Sequence, residues 1–90
     1  MKSPFFISFN MFYVYILFST IKSKYYVGQT ANIDDRLNRH NSGYSLSTKS
    51  GIPWQLITSF TCNTRSEALL LEKKIKKRGA KRYLQDIKFL

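Results

Sequence analysis

Ninety residues carry 15 Lys and Arg against 5 Asp and Glu, a formal net charge of +10, with a hydrophobic share of 43% and an aromatic share of 16%. That length holds one domain with one modest core, which six Tyr, seven Phe and one Trp can fill with few residues. The single cysteine, Cys62, excludes an internal disulfide and suits a reducing, cytoplasmic compartment, and one Cys with one His excludes a Cys/His zinc cluster.

The apolar run over residues 4–18 resembles a secretory signal only superficially. Ser8 and Asn10 interrupt it, and no small-x-small cleavage site follows. It is also too short and too polar to span a bilayer. Residues 1–10 are expected to be a loosely ordered extension and 11–90 a single domain. Residues 12–18 are aromatic and β-branched on both faces, which predicts a central strand. A short polar connection leads to a second strand over 24–30, so the two form a hairpin. Gly28 inside that strand suggests a bulge or the close approach of a ligand.

Thr30 or Asn32 can cap the next helix, with Asp34 and Asp35 in its first turn and Ile33 and Leu37 facing the core. Gly43 ends it. A Ser-, Gly- and Thr-rich loop covers 42–53, and 54–62 reads as a third strand. Thr64-Arg65-Ser66-Glu67 is a capping box that opens a helix running to about residue 78, before Gly79. A last short helix covers roughly 81–87. The order β-β-α-β-α-α is an α+β domain.

Among the five acids, Asp34, Asp35 and Glu67 are explained by helix starts, and Asp86 lies beside basic neighbours. Glu72 is different. It shares a helical stripe with Ala68, Leu69 and Ile75, the stripe expected to face the sheet. A carboxylate there needs a cation or strong donors. A divalent ion such as Mg²⁺ would satisfy it, and so would an ion pair with a nearby Lys or Arg. Arg36 and His40 stand at i, i+4 on one helix face, a guanidinium suited to phosphate beside a group that moves protons near neutral pH. The alternative is a solvated helix face. Tyr15 and Tyr26 sit on adjacent strands within side-chain reach, either as core or as phenols poised near cations.

These residues resemble the motifs of the GIY-YIG nuclease superfamily, in particular its small stand-alone bacterial members. Tyr13-Val14-Tyr15 stands where that family has Gly-Ile-Tyr, and Tyr26-Val27-Gly28 where it has Tyr-Ile-Gly. Arg36 to His40 looks like its Arg-x-x-x-His helix, and residues 65–72 like the helix bearing its metal-binding glutamate. The resemblance implies a three-stranded antiparallel sheet flanked by helices and metal-dependent hydrolysis of DNA. It implies that Tyr15 and Tyr26 position or deprotonate water, that Arg36 stabilises phosphate charge, that His40 assists proton transfer and that Glu72 holds the metal. Gly28 would let backbone and phosphate approach. Tyr13 departs from the motif's first glycine. Larger members also carry an asparagine after the metal glutamate, which this chain lacks beyond Asn63, and a second domain for target choice.

The expected cofactor is one divalent metal, Mg²⁺ with Mn²⁺ able to substitute. The expected partner is nucleic acid, DNA first, since basic side chains displace its condensed counterions. No membrane and no obligatory protein partner is expected. Arg39, Lys49, Lys76, Lys77 and Arg78 are the candidate phosphate contacts, within a cluster that adds Lys73, Lys74, Lys81 and Arg82. The competing reading keeps the fold and the basic surface as a non-catalytic nucleic-acid-binding module. A module that only binds phosphate has no need of a carboxylate at its own binding site.

Overall fold

The computed structural model describes residues 11–90, so the extension expected at 1–10 lies outside the described residues. The elements run β1 (Phe12–Ser19), β2 (Lys24–Thr30), α1 (Ile33–Ser42), a 3-10 helix (Leu46–Gly51), β3 (Trp54–Cys62), α2 (Arg65–Arg78) and α3 (Ala80–Asp86). The strands make one antiparallel sheet in the order β2-β1-β3. The expected α+β order is found, with β1 in the middle. Its apolar residues on both sides explain that place, since Val14, Tyr15, Ile16 and Leu17 are each no more than 2% exposed.

The hairpin turns through Ser23 at φ 52°, and the Lys22 N–H donates to Ser19 Oγ at 3.1 Å. Its register pairs Tyr15 with Gly28 and Leu17 with Tyr26, so these four residues share one face of the sheet. The pairing runs through Gly28 without a bulge. The irregularity lies instead between β1 and β3, at Ile16/Leu17. Gly28 is glycine here because the Tyr15 phenol lies across it, and a Cβ would meet the Tyr15 Oη and come within 2.6 Å of its Cζ.

Each face of the sheet carries its own cluster. On one, Val14, Ile16, Val27 and Cys62 pack against Ala68 and Ile75 of α2 and Leu84 of α3. On the other, Tyr15, Leu17 and Trp54 pack with Tyr26, Leu37 of α1 and Ile52. Helix α1 starts at Asn32, whose Oδ1 accepts from the Asp35 N–H at 3.0 Å, and stops at Gly43 with φ 86°. Helix α2 starts at Thr64, whose hydroxyl accepts from the Glu67 N–H at 3.1 Å, while the Glu67 carboxylate accepts from the Asn63 N–H at 2.9 Å.

Two expectations need correction. The core stripe of α2 is Ala68, Leu71 and Ile75, and Leu69 is 46% exposed. A helix turns about 100° per residue, so Leu69 lies well round from the Ala68–Ile75 line and Glu72 lies only at its border. The expected loop over 42–53 holds a turn of 3-10 helix, closed by the Thr48 N–H donating to Ser45 O at 3.1 Å. Among the described residues no helix is long and apolar enough to cross a membrane.

Candidate active site

The side of the sheet facing α1 differs from an ordinary core in what it buries. His40 and Thr48, each 2% exposed, sit among Tyr15, Leu17 and Trp54. His40 is carried inward by the last turn of α1, and Thr48 by the 3-10 helix. The Tyr15 hydroxyl lies 3.0 Å from His40 Nε2, and His40 Nδ1 lies 2.8 Å from Thr48 Oγ1. Tyr26 closes the group, with its ring centroid 4.9 Å from that of His40, edge-on, and 6.3 Å from that of Tyr15.

The indole of Trp54 ties this cluster to the sheet. Its Nε1–H donates to Thr48 O at 2.7 Å. The Trp54 backbone is clasped by one side chain of α1, with its N–H donating to Asn41 Oδ1 at 2.6 Å and its O accepting from Asn41 Nδ2 at 3.0 Å. Gly51 is small because the Trp54 ring covers it. Three consecutive elements, α1, the 3-10 helix and β3, are thus held in one place by side-chain hydrogen bonds.

Electrostatics joins Arg36 and Glu72 to the same point. Burial pushes the Tyr15 phenol up to about 12, the nearby phenol of Tyr26 and the Glu72 carboxylate act in the same sense, and the Arg36 charge pulls the other way. Burial and the Arg36 charge hold His40 below the usual imidazole range, so the ring is neutral near pH 7. Arg36 Nε is buried and has no hydrogen-bond partner among the described residues. A buried donor left unpaired is a place for an anion to bind. The other four sequence-predicted site residues, Tyr26, Arg36, His40 and Glu72, therefore act on the Tyr15 phenol or touch it.

The carboxylate of Glu72 has an occupant. Its side chain is 17% exposed, and Lys76 Nζ lies 2.8 Å from Oε2. The described residues hold no cluster of three or more His, Cys, Asp or Glu that could cage a metal. The donor set fits Mg²⁺ rather than zinc, because Mg²⁺ keeps several waters and takes one carboxylate plus substrate phosphate. Lys76 must then move aside, and its half-exposed side chain leaves it free to do so.

The remaining candidate contacts are spread more widely. Arg39 and Lys49 are exposed, with Arg39 in a loose pair with Asp35 at 3.7 Å. Lys77 is exposed. Arg78 donates to both oxygens of Asp86, at 2.7 and 3.0 Å, and ties α2 to α3. Of the three basic residues at the end of α2, two are therefore engaged within the chain. Thr48 is the site residue that the sequence reading misses. Its one local signal is a Thr eight residues beyond the histidine, in a stretch whose Ser and Thr content looks like a linker.

Against known proteins, a model of the GIY-YIG catalytic domain matches residues 11–84. Among solved structures, the solution NMR structure of the UPF0213 protein BH0048 from Bacillus halodurans is similar, with 26% identity and a TM-score of 0.54 over 88% of this chain and 84% of that one. No curated protein matches the chain.

Proposed function

The chain belongs to the GIY-YIG catalytic-domain family, a nuclease family, and on that footing we propose that it is a metal-dependent endonuclease that hydrolyses DNA phosphodiester bonds in the cytoplasm. The observation that carries the reading is the 3.0 Å hydrogen bond between the Tyr15 hydroxyl and His40 Nε2, made where the influence of Arg36 and Glu72 converges.

The chemistry assigned to these residues is a proton relay. An attacking water gives its proton to Tyr15 Oη as the Tyr15 proton passes to His40 Nε2, leaving hydroxide in line with phosphorus and an imidazolium behind the phenol. Hydroxide oxygen bonds to phosphorus as the P–O bond to the leaving oxygen breaks, that oxygen takes a proton from solvent, and the His40 imidazolium returns its proton to solvent. Arg36 holds the non-bridging oxygens through a permanent charge. Tyr26 packs against the imidazole and orients the same water. With the phenol at about 12 and the imidazole below its usual range, the relay is strongly uphill in the bare protein. A divalent ion on Glu72 would supply positive charge beside the phosphate and the attacking water. Lys77, Arg39 and Lys49 remain for more distant phosphates.

One observation favours the non-catalytic binding module, namely the Glu72–Lys76 ion pair, which satisfies the carboxylate without metal. A cleavage panel of labelled linear, flapped and branched DNA, with Mg²⁺, Mn²⁺ or chelator, separates the two. The nuclease reading expects strand scission that needs metal and stops with chelator. Tight binding of every substrate with no scission in either metal would leave only the module.

A further inference from the structure

His40 has two ring nitrogens, and only one orientation of protons suits the relay. The Thr48 end of its hydrogen-bond chain limits that choice. At one end, Thr48 Oγ1 lies 2.8 Å from Nδ1 and 3.3 Å from Ser45 O. A carbonyl can only accept, so the single Thr48 proton goes to Ser45 O and its oxygen is left to accept from Nδ1–H. At the other end, Nε2 lies 3.0 Å from the Tyr15 hydroxyl. With the His40 proton on Nδ1, the bare Nε2 can only accept, so the Tyr15 proton goes to it.

We propose that Thr48 is the positioning residue that keeps the His40 proton on Nδ1, so that Nε2 stays bare and accepts from Tyr15. The hydroxyl does this through a carbonyl three residues back on its own 3-10 turn. Trp54 keeps that turn in place from the other side by donating to Thr48 O at 2.7 Å. A third group that orients a catalytic imidazole by its far nitrogen is a general device, and the wrong tautomer leaves geometry intact while removing the acceptor. Valine at position 48 matches the shape of threonine and deletes the acceptor. Nδ1–H would then be left unpaired in a buried place, and moving the proton to Nε2 relieves it, with Tyr15 becoming the acceptor. The reaction would lose the group that receives the phenol's proton.

The inference deepens the nuclease reading, and only its kinetic arm rests on that reading. The chain has a single histidine, so its imidazole nitrogens give unambiguous ¹⁵N signals. The test is nitrogen NMR near neutral pH on the parent, Thr48→Val and Thr48→Ser, beside single-turnover cleavage and DNA affinity. The parent and Thr48→Ser are expected to show a protonated Nδ1 and a bare Nε2. Thr48→Val should shift the proton to Nε2 and cut about 10²-fold more slowly, with DNA affinity unchanged. Thr48→Ser should restore most of the rate. A parent with its proton on Nε2, or a Thr48→Val that keeps it on Nδ1, overturns the assignment. So does a folded Thr48→Val that loses only stability and cuts at the parent rate. If Thr48→Val does not fold, the parent and serine spectra still decide. If the parent cuts nothing, the nuclease reading fails while the tautomer assignment stands or falls on its own spectra.

Discussion

The two faces of the sheet are built from the same three strands and do different work. The face toward α2 and α3 buries Val14, Ile16, Val27, Ala68, Ile75 and Leu84 beside the lone thiol of Cys62. The face toward α1 buries an imidazole and two hydroxyls, those of Tyr15 and Thr48, along with the indole N–H of Trp54. Burying polar groups costs stability unless each finds a partner, and here they find one another. Apolar packing on the first face offsets what the second requires. A sheet only three strands wide can therefore hold a buried chain of side-chain hydrogen bonds because its other face is simple.

Changes on the α1 face should separate catalysis from folding, and the largest effect is expected at its rim. Glu72→Gln should lower cleavage by about 10³-fold or more, since a metal clamp on phosphate is worth several kcal/mol. Fold and DNA binding should persist, and binding in the absence of metal should tighten as a negative charge is lost near phosphate. Direct Mn²⁺ titration followed by line broadening checks the ligand itself. Parent-like broadening in Glu72→Gln would show that the carboxylate holds no metal.

Within the face, Tyr15→Phe should slow single-turnover cleavage by about 10²–10⁴-fold. It should also cost about 1–3 kcal/mol in a denaturant melt, because His40 Nε2 loses its partner while buried. Tyr26→Phe should slow cleavage with little loss of stability, its ring being only half-buried. Variants of both that cut at the parent rate would make the two faces equivalent, each merely a core.

The opposite pattern is expected across the sheet. Ile75→Ala should cost about 2–5 kcal/mol of stability, as for a large apolar side chain removed from a full core. Its cleavage rate per folded molecule, measured well below the melting temperature, should match the parent. A large rate loss without a stability loss would mean that the two faces are coupled.

The smallest expected effects are in pH, and two of them come from the α1 face. His40 titrates below its ordinary value when folded, so its contribution to stability is full above about pH 6.5 and is lost as pH falls through the folded value. Tyr15 titrates above its ordinary value, so its contribution is full below about pH 10 and is lost as pH rises toward 12. Melting temperature across pH 4–11 should thus fall at both ends, and Tyr15→Phe should flatten the alkaline limb only. An alkaline limb unchanged in Tyr15→Phe would assign it to other groups.

The strands are legible in the residues because each is long enough for its pattern to speak. Residues 24–30 and 54–62 carry aromatic and β-branched runs bounded by polar turns, and they form as read. The two capped helices are legible for the same reason, since Asn32 and Thr64 mark their first turns. Leu69 is misread because an apolar residue next to an apolar stripe looks the same in sequence whether it lies at the centre or beyond the edge. The bulge expected at Gly28 is absent because the residue that needs the space, Tyr15, is across the sheet. That Tyr15, His40 and Arg36 gather in one place is legible from their types and spacing. Thr48 is not, for its meaning lies in a bond to a side chain on another element, and no local pattern encodes that.

Trp54 is the chain's only tryptophan, 7% exposed, and its indole stands 6.1 Å from the Tyr26 ring. It therefore serves as an optical gauge wired to one side of the molecule. Its emission reports whether the 3-10 turn and the end of α1 are in register with the sheet, while α2 and α3 contribute to far-ultraviolet ellipticity and contain no indole. If the α1 side opens locally, fluorescence should redden at conditions where ellipticity is still nearly full. The molecule thus carries its own means of telling a loosened α1 face from a melted protein.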